Sequence, residues 1–112
     1  MNEDIKKLVK KMVEKLVNGD FDSLVLRGEN GRLSVEEIKT AITDFPGVIT
    51  LPPIQAYDSI EVYDVYDASC GARKVDFDLW FDNEKSDLTV SMEVRMDGLG
   101  KLGLIIEDIH IL

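Results

Sequence analysis

Two aspartates stand two residues apart in the segment KVDFDLWF, residues 74–81. Neighbouring carboxyl groups can act as general acid and base when an apolar cavity keeps one of them protonated near neutral pH. In this segment, however, apolar and polar residues alternate, which is typical of a strand with one buried face. Asp76 and Asp78 then share the opposite face with Trp80, since successive strand side chains point to opposite sides. We therefore expect both carboxylates to be hydrated and not to form a catalytic pair.

Three further patterns offer chemistry, and none of them forms a complete site. GLGKLG, residues 98–103, has the glycine spacing of a dinucleotide-binding loop, but it precedes a strand where that loop must open a helix. DNEKSD, residues 82–87, offers carboxylate oxygens but lacks the glycine and the distal glutamate of a calcium loop. Cys70 and His110 are the only cysteine and histidine, and nothing in the sequence brings them together as nucleophile and base. We expect no cofactor, no metal ion and no catalytic residue.

Composition limits the class of protein. The 112 residues, of which 45% are hydrophobic, suit one domain spanning residues 1–112 with its own core. The 13 basic and 22 acidic residues give a net charge of −9, which repels nucleic acids and anionic lipids and attracts basic partners. A single cysteine excludes an internal disulfide, and no apolar run reaches the roughly 20 residues that cross a bilayer. We expect a cytoplasmic protein that binds neither nucleic acid nor membranes directly.

The first half of the sequence predicts helices. Apolar residues recur every three to four positions in residues 2–17, which predicts an amphipathic helix. A short helical turn is expected through FDSLVL, capped by Asp20. Ser34 and Glu37 have the spacing of a capping box, which predicts a second long helix that ends at Pro46.

The second half predicts strands. Pro52 and Pro53 exclude a helix across the segment that links the two halves. The first strand changes the parity of its apolar residues between Val62 and Tyr63, which indicates a bulge. Helices followed by an antiparallel meander predict an α+β fold, in which N-terminal helices pack on a curved, mostly antiparallel sheet of four or more strands. The four strand candidates are residues 59–67, 73–81, 87–96 and 102–112.

An amphipathic first helix ending in NGDFDSL, a capped second helix and a bent meander closing on IIEDIHIL resemble the cystatin-like cone fold of nuclear transport factor and ketosteroid isomerase relatives. The resemblance covers nearly the whole chain. It implies a cavity between helices and sheet, where Tyr63, Asp64, Tyr66 and His110 could serve an isomerase-like enzyme or a small-molecule carrier. The size and acidity of the chain also resemble those of bacterial immunity proteins, which neutralise toxins of contact-dependent or polymorphic toxin systems.

We interpret the chain as a non-catalytic binding protein, and specifically as an immunity protein that occludes the substrate site of a basic toxin domain, such as a nuclease. Exposed acids speed the encounter with a basic partner, and a large ring among them can anchor the complex. The alternatives are the cone-fold enzyme or carrier and a homodimer formed through the open face of the sheet. The expected partner-binding residues are Tyr63, Asp64, Tyr66, Asp67, Asp76, Asp78, Trp80 and Asp82.

Overall fold

The computed structural model describes residues 2–64, 73–96 and 99–111. Within these ranges helices come first and an antiparallel sheet follows, which confirms the predicted α+β class. No helix in them is long and apolar enough to cross a membrane. The helices are α1 (Asn2–Asn18), α2 (Phe21–Leu26), α3 (Val35–Thr43) and a 3₁₀ helix (Ile54–Ser59), and the strands are β1 (Ile49–Thr50), β2 (Glu61–Asp64), β3 (Arg73–Phe81), β4 (Glu84–Met96) and β5 (Leu102–Ile111).

Helix α1 agrees with the predicted helix to within one residue at its end. Glu3 and Asp4 lie in its first turn and Lys15 in its last, an arrangement that favours both ends of the helix dipole. Gly19 follows the helix with a φ of 71°, the left-handed conformation that glycine adopts at low cost. The apolar stripe of α1 is buried against the sheet. Its core residues, each at most 2% exposed, are Ile5, Val9, Met12, Val13 and Leu16.

Helices α2 and α3 also follow from local sequence. FDSLVL, expected to form a short turn, is the six-residue helix α2, but the side chain of Asp20 makes no hydrogen bond to it, so the predicted cap is absent. Helix α3 begins after Ser34, as predicted from the capping box. The Glu37 N–H donates to Ser34 Oγ at 3.1 Å, and the Ser34 N–H donates to Glu37 Oε1 at 3.1 Å. Two backbone donors that the helix cannot satisfy itself are thereby paired, and α3 buries Ile38 and Ile42.

The sheet has the order β1-β3-β4-β5, with β2 also paired to β3, and every pairing is antiparallel. Strands β1 and β2 occupy successive parts of the same edge of β3, and the 3₁₀ helix lies between them in the chain. Strand β1 lies in the segment that was predicted to be only a connection. No helix crosses Pro52 and Pro53, as predicted. The pairing of β2 with β3 runs without a register shift from Glu61 to Asp64, so the bulge predicted between Val62 and Tyr63 is absent there. Val65, the last residue of the predicted parity change, lies outside the described residues.

The β3–β4 turn is tighter than predicted. It consists of Asp82 and Asn83 alone, so β4 begins at Glu84 and not at Asp87. The two turn residues have φ values of 51° and 63°, as a two-residue type I′ turn requires. Aspartate and asparagine enter this region more readily than other residues with a side chain. The DN pair can therefore reverse the chain without a glycine.

Two irregularities interrupt the ladder. Strands β3 and β4 change register between Asp78 and Trp80, where the Ser86 hydroxyl donates to the Leu79 carbonyl at 2.5 Å. Strands β4 and β5 change register after Ser91. Such irregularities increase the local twist of a sheet and change which side chains meet across it.

The core lies between α1 and one face of the sheet. Phe77, Leu79 and Met92 occupy this space, and each is at most 5% exposed. The Tyr57 ring stacks on Phe77 with the ring centroids 5.2 Å apart. Burial of a side chain of this size contributes roughly 1.5–3 kcal/mol, so this layer dominates the stability of the fold. The other buried apolar residues of the sheet are Val75, Phe81, Leu88, Val90, Val94, Leu104, Ile106 and Ile109.

The loop between α2 and α3 is docked on the edge of β5. The Ile106 N–H donates to the Glu29 carbonyl at 2.7 Å, and Lys15 Nζ lies 2.6 Å from Glu29 Oε1. Gly31 has a φ of 58° and lies so close to β5 that a Cβ would overlap the Ile106 carbonyl oxygen. The loop therefore covers part of a strand edge and ties it to α1.

We expect Gly31→Ala to lower the free energy of unfolding by about 2–4 kcal/mol, because it adds left-handed strain and overlap with the β5 backbone. Gly28→Ala is the matched control: Gly28 has a φ of 67°, but no atom lies within 4 Å of its Cβ position. This control should lose only the strain of about 1–2 kcal/mol. Urea unfolding of both variants measures the difference, and equal losses would contradict the proposed docking of the loop.

The pH dependence of stability should reflect Tyr57. Burial raises the pKa of Tyr57 from 10.0 to about 12, with a smaller contribution from the Glu14 charge. Because the pKa is higher in the folded protein, the stabilisation is complete below about pH 10 and is lost as the pH rises towards 12. Tyr57→Phe should flatten this alkaline loss relative to the wild type. Urea unfolding at a series of pH values measures the slopes, and identical slopes would show that Tyr57 does not contribute.

Candidate functional site

The face of the sheet opposite α1, called the outer face below, carries the alternate residues of β3 that the sequence assigned to it. Lys74, Asp76, Asp78 and Trp80 are half-buried there, whereas the residues between them are buried in the core. The predicted alternation of this strand is therefore confirmed. The outer face also carries Tyr63 on β2, Lys85, Thr89, Ser91, Glu93 and Arg95 on β4, and Glu107, Asp108 and His110 on β5.

The register aligns polar residues in rows across three strands. Side chains directly opposite one another on one face have Cβ atoms about 4.5–5.5 Å apart, so the members of a row are neighbours. The rows lie side by side at the centre of the outer face. They are Asp76–Ser91–Asp108 and Asp78–Thr89–His110.

The negative charge of Asp78 is compensated by neighbouring residues of the protein. Thr89 Oγ1 donates to Asp78 Oδ1 at 2.6 Å, and Lys85 Nζ lies 3.4 Å from Asp78 Oδ2. Thr89 is fully buried, so its hydroxyl satisfies this carboxylate and is not accessible to a substrate. The exposed ion pair contributes only about 0.2–1 kcal/mol. It nevertheless supplies Asp78 with a countercharge.

The negative charge of Asp76 is less well compensated. The Tyr63 hydroxyl donates to Asp76 Oδ2 at 3.2 Å, whereas Asp76 Oδ1 is buried and has no hydrogen-bond partner among the described residues. A buried acceptor without a partner costs about 1–3 kcal/mol. Partial burial and the Asp76 charge raise the pKa of Tyr63, so the phenol keeps its proton and remains a donor. Among the described residues, this carboxylate therefore accepts one long side-chain hydrogen bond, from the Tyr63 hydroxyl.

Other cations of the outer face are paired with glutamates. Lys74 Nζ lies 2.7 Å from Glu107 Oε2, and this hydrogen bond raises the pKa of Lys74 above its ordinary value. Arg95 Nε lies 3.3 Å from Glu93 Oε1. Across residues 2–64, 73–96 and 99–111, no lysine or arginine is recorded as an ion-pair partner of Asp76.

The structure brings together part of the residue set that was expected to bind a partner. Tyr63, Asp76, Asp78 and Trp80 share the outer face. Trp80 is half-buried and lies between Thr50 on β1 and Lys85 on β4. Part of its surface is therefore accessible beside the acids.

The remaining expected residues are Asp64, Tyr66, Asp67 and Asp82. Asp64 ends β2, where its backbone pairs with Arg73. Tyr66 and Asp67 lie outside the described residues, and so does Cys70.

Asp82 has a structural role that the sequence analysis missed. The Val48 N–H donates to Asp82 Oδ1 at 3.0 Å, and the Asp82 N–H donates to the Val48 carbonyl at 2.8 Å. Beside it, the Asn83 N–H donates to Thr50 Oγ1 at 3.0 Å. The carboxylate therefore fastens the β3–β4 turn to the edge strand.

A groove of about 550 Å³ separates the outer face from the start of α3. His110 Nδ1 lies 3.1 Å from Asp108 Oδ2 but without the geometry of a hydrogen bond. In the described part of the chain, no group of three or more histidines, cysteines or acids is arranged to hold a metal ion. The groove has polar walls that can receive a charged group. They include Arg32, Glu37, Tyr63, Lys74, Ser91 and His110.

Sequence reasoning missed the partners of the two aspartates. Alternation assigned Thr89 and Ser91 to the polar side of their strand, but it did not show which of them faces Asp76 and which faces Asp78. That assignment needs the strand register, which is shifted by the irregularities near Trp80 and Ser91. The one available signal was the pair of adjacent acids in IIEDIHIL, where the alternation of β5 breaks.

We expect Asp82→Ala to lower the free energy of unfolding by about 1.5–3 kcal/mol, because alanine neither accepts from the Val48 N–H nor tolerates a positive φ. Asp82→Asn keeps an acceptor oxygen and the tolerance of positive φ, so its loss should stay below about 1 kcal/mol. Thermal and urea unfolding compare the two variants. A loss as large for asparagine as for alanine would mean that the negative charge, and not the turn geometry, is what matters.

Comparison with known proteins identifies the family to which the chain belongs. No curated protein and no solved structure matches the chain significantly. A family described as a domain of unknown function, DUF7668, matches residues 13–112. The match begins within α1 and includes the other helices and strands described above. The chain therefore belongs to the DUF7668 family.

Proposed function

We propose that this chain is a non-catalytic binding protein, namely a bacterial immunity protein that acts in the cytoplasm. It docks the outer face on a basic toxin domain and covers the substrate site of that domain. A nuclease is the fitting class of toxin, because a site that binds nucleic-acid phosphates is lined with arginine and lysine. Carboxylates of the outer face then lie where phosphates would bind.

The observation that carries the proposal is the incomplete compensation of Asp76 on the outer face, where Asp78, Glu93 and Glu107 each have a lysine or arginine partner. A carboxylate held in place by the strand, with one buried oxygen unpartnered among the described residues, favours a cation from outside. Trp80 lies four residues further along the same face of β3 and offers apolar area there, as anchors of protein interfaces commonly do.

The net charge of the chain acts at longer range. A charge of −9 attracts a basic domain over distances of roughly 10 Å at moderate ionic strength. Such attraction accelerates the encounter more than it strengthens the complex. The affinity must therefore come from close contacts such as those of Asp76 and Trp80.

Packing of the core supports a surface function over a ligand carrier. Phe77, Leu79 and Met92 are at most 5% exposed between α1 and the sheet, where a cone-fold carrier would hold its ligand. The acids of β3 lie on the other side of the sheet from this space. The size and acidity that resemble those of immunity proteins point in the same direction.

The test is co-expression of this chain with the toxin encoded beside its gene, followed by association kinetics with the isolated toxin domain. The wild type should restore growth. The double variant Asp76→Lys, Asp78→Lys should associate at least about tenfold more slowly at low ionic strength, because reversed charges repel a basic surface. The difference should shrink as salt is added.

The control for this experiment is Asp22→Lys, Glu36→Lys, which makes the same change in net charge at exposed positions on α2 and α3. It should slow association much less than the double variant of the outer face. Equal slowing would show that only net charge matters. Failure of the wild type to bind or neutralise the toxin would overturn the proposal.

A further inference from the structure

Asp76 differs from the two other half-buried carboxylates along β3 and β4, Asp78 and Glu93. Asp78 and Glu93 each lie within 3.4 Å of a lysine or arginine nitrogen. Asp76 has the Tyr63 hydroxyl, a neutral donor at 3.2 Å, and no recorded cation within the described ranges. Of these three half-buried acids, Asp76 is therefore the one best placed to accept a cation from another molecule.

Tyr63 controls access to this carboxylate. Its hydroxyl is bonded to Asp76 Oδ2, while Asp76 Oδ1 is buried. The Tyr63 side chain is itself 44% exposed and its hydrogen bond is long, so a rotation of the ring disturbs little packing. Rotation would free Asp76 Oδ2 from its hydrogen bond with the phenol.

The groove provides the approach. Tyr63 lies on one side of Asp76 and Ser91 on the other, since Ser91 is the cross-strand neighbour of Asp76, and both line the groove. Asp76 itself is not a wall of the groove, but a side chain that enters between Tyr63 and Ser91 would reach the two residues that flank its carboxylate. Glu107 and Asp108 keep the groove from becoming positive beside Lys74 and Arg32.

We propose that Asp76 beneath Tyr63 is the subsite for one arginine side chain of the basic partner. This inference rests on the proposed function, since it specifies how the outer face holds that partner. Arginine fits better than lysine for two reasons. A planar guanidinium can bond both carboxylate oxygens in parallel, and it can stack on the ring of Tyr63 once that ring has turned.

The test uses Nα-acetyl-L-arginine methylamide as the probe, titrated into the full chain at constant ionic strength and followed by NMR signals of Tyr63 and Ser91. The shifts should saturate. Nα-acetyl-L-lysine methylamide should bind at least about threefold more weakly, because it cannot form the two parallel bonds. Shifts that rise linearly without saturation, or equal affinities of the two probes, would overturn the proposal.

Asp76→Asn and Asp78→Asn form a matched pair, since each removes one negative charge from the same strand. Asp76→Asn should lower the affinity for the arginine probe about tenfold or abolish binding, whereas Asp78→Asn should change this affinity less than about twofold. Equal effects would show that the probe senses only the field of the outer face. Tyr63→Phe keeps the ring and removes the competing hydroxyl, so it should tighten binding about two- to threefold.

The outcome for Tyr63→Phe decides the question if Asp76→Asn does not fold, because weaker binding of the probe to this variant would contradict displacement of the phenol. Failure of the subsite is distinct from failure of the proposed function. A saturable arginine site at Asp76 together with no toxin neutralisation would refute the immunity role alone. Neutralisation that survives Asp76→Asn unchanged, with no saturable probe binding, would refute the subsite alone.

Discussion

The alternation along β3 is the constraint on which the rest of the molecule depends. Phe77 and Leu79 pack under α1, and the strand geometry then forces Asp76 and Asp78 to the other face. A shift of one residue would exchange the two sets. Each exposed apolar side chain would lose roughly 1.5–3 kcal/mol, and each buried carboxylate would cost several more. The orientation of the acids is thus fixed by the core and not by any interaction of their own.

Features that depend on neighbours in sequence were predictable. The helical period of α1, the box formed by Ser34 and Glu37, and the period of β3 each arise within a few residues, so the sequence carries the whole signal. The same holds for the α+β order of elements. Strand β1 was missed because two residues on an edge leave no periodic pattern, and pairing with β3 alone defines them.

Features that depend on register were not predictable. Lys74 meets Glu107 across β4, at 33 residues' separation in sequence, because the irregularity after Ser91 shifts β5 against β4. Asp82 shows a second limit. Its carboxylate was expected to face a partner, as the neighbouring acids suggest, but a turn of two residues directs it to the Val48 N–H. An aspartate that binds a partner and an aspartate that fastens a turn are the same residue type in the sequence. Only the path of the backbone shows which of the two roles Asp82 has.

The uneven compensation of the outer face has a physical logic for a binding surface. Pairs such as Lys74–Glu107 and Lys85–Asp78 hold their side chains in defined positions and lower the repulsion among acids that a charge of −9 creates. If every acid of a surface already had a lysine or arginine partner, an incoming cation could bind only by replacing that partner. Such a replacement would gain little free energy of binding. Asp76 does not require such a replacement, because its partner is a tyrosine hydroxyl, which carries no charge. A neutral donor at Asp76 therefore leaves favourable free energy of binding available at this carboxylate, while the ion-paired residues around it keep it ordered.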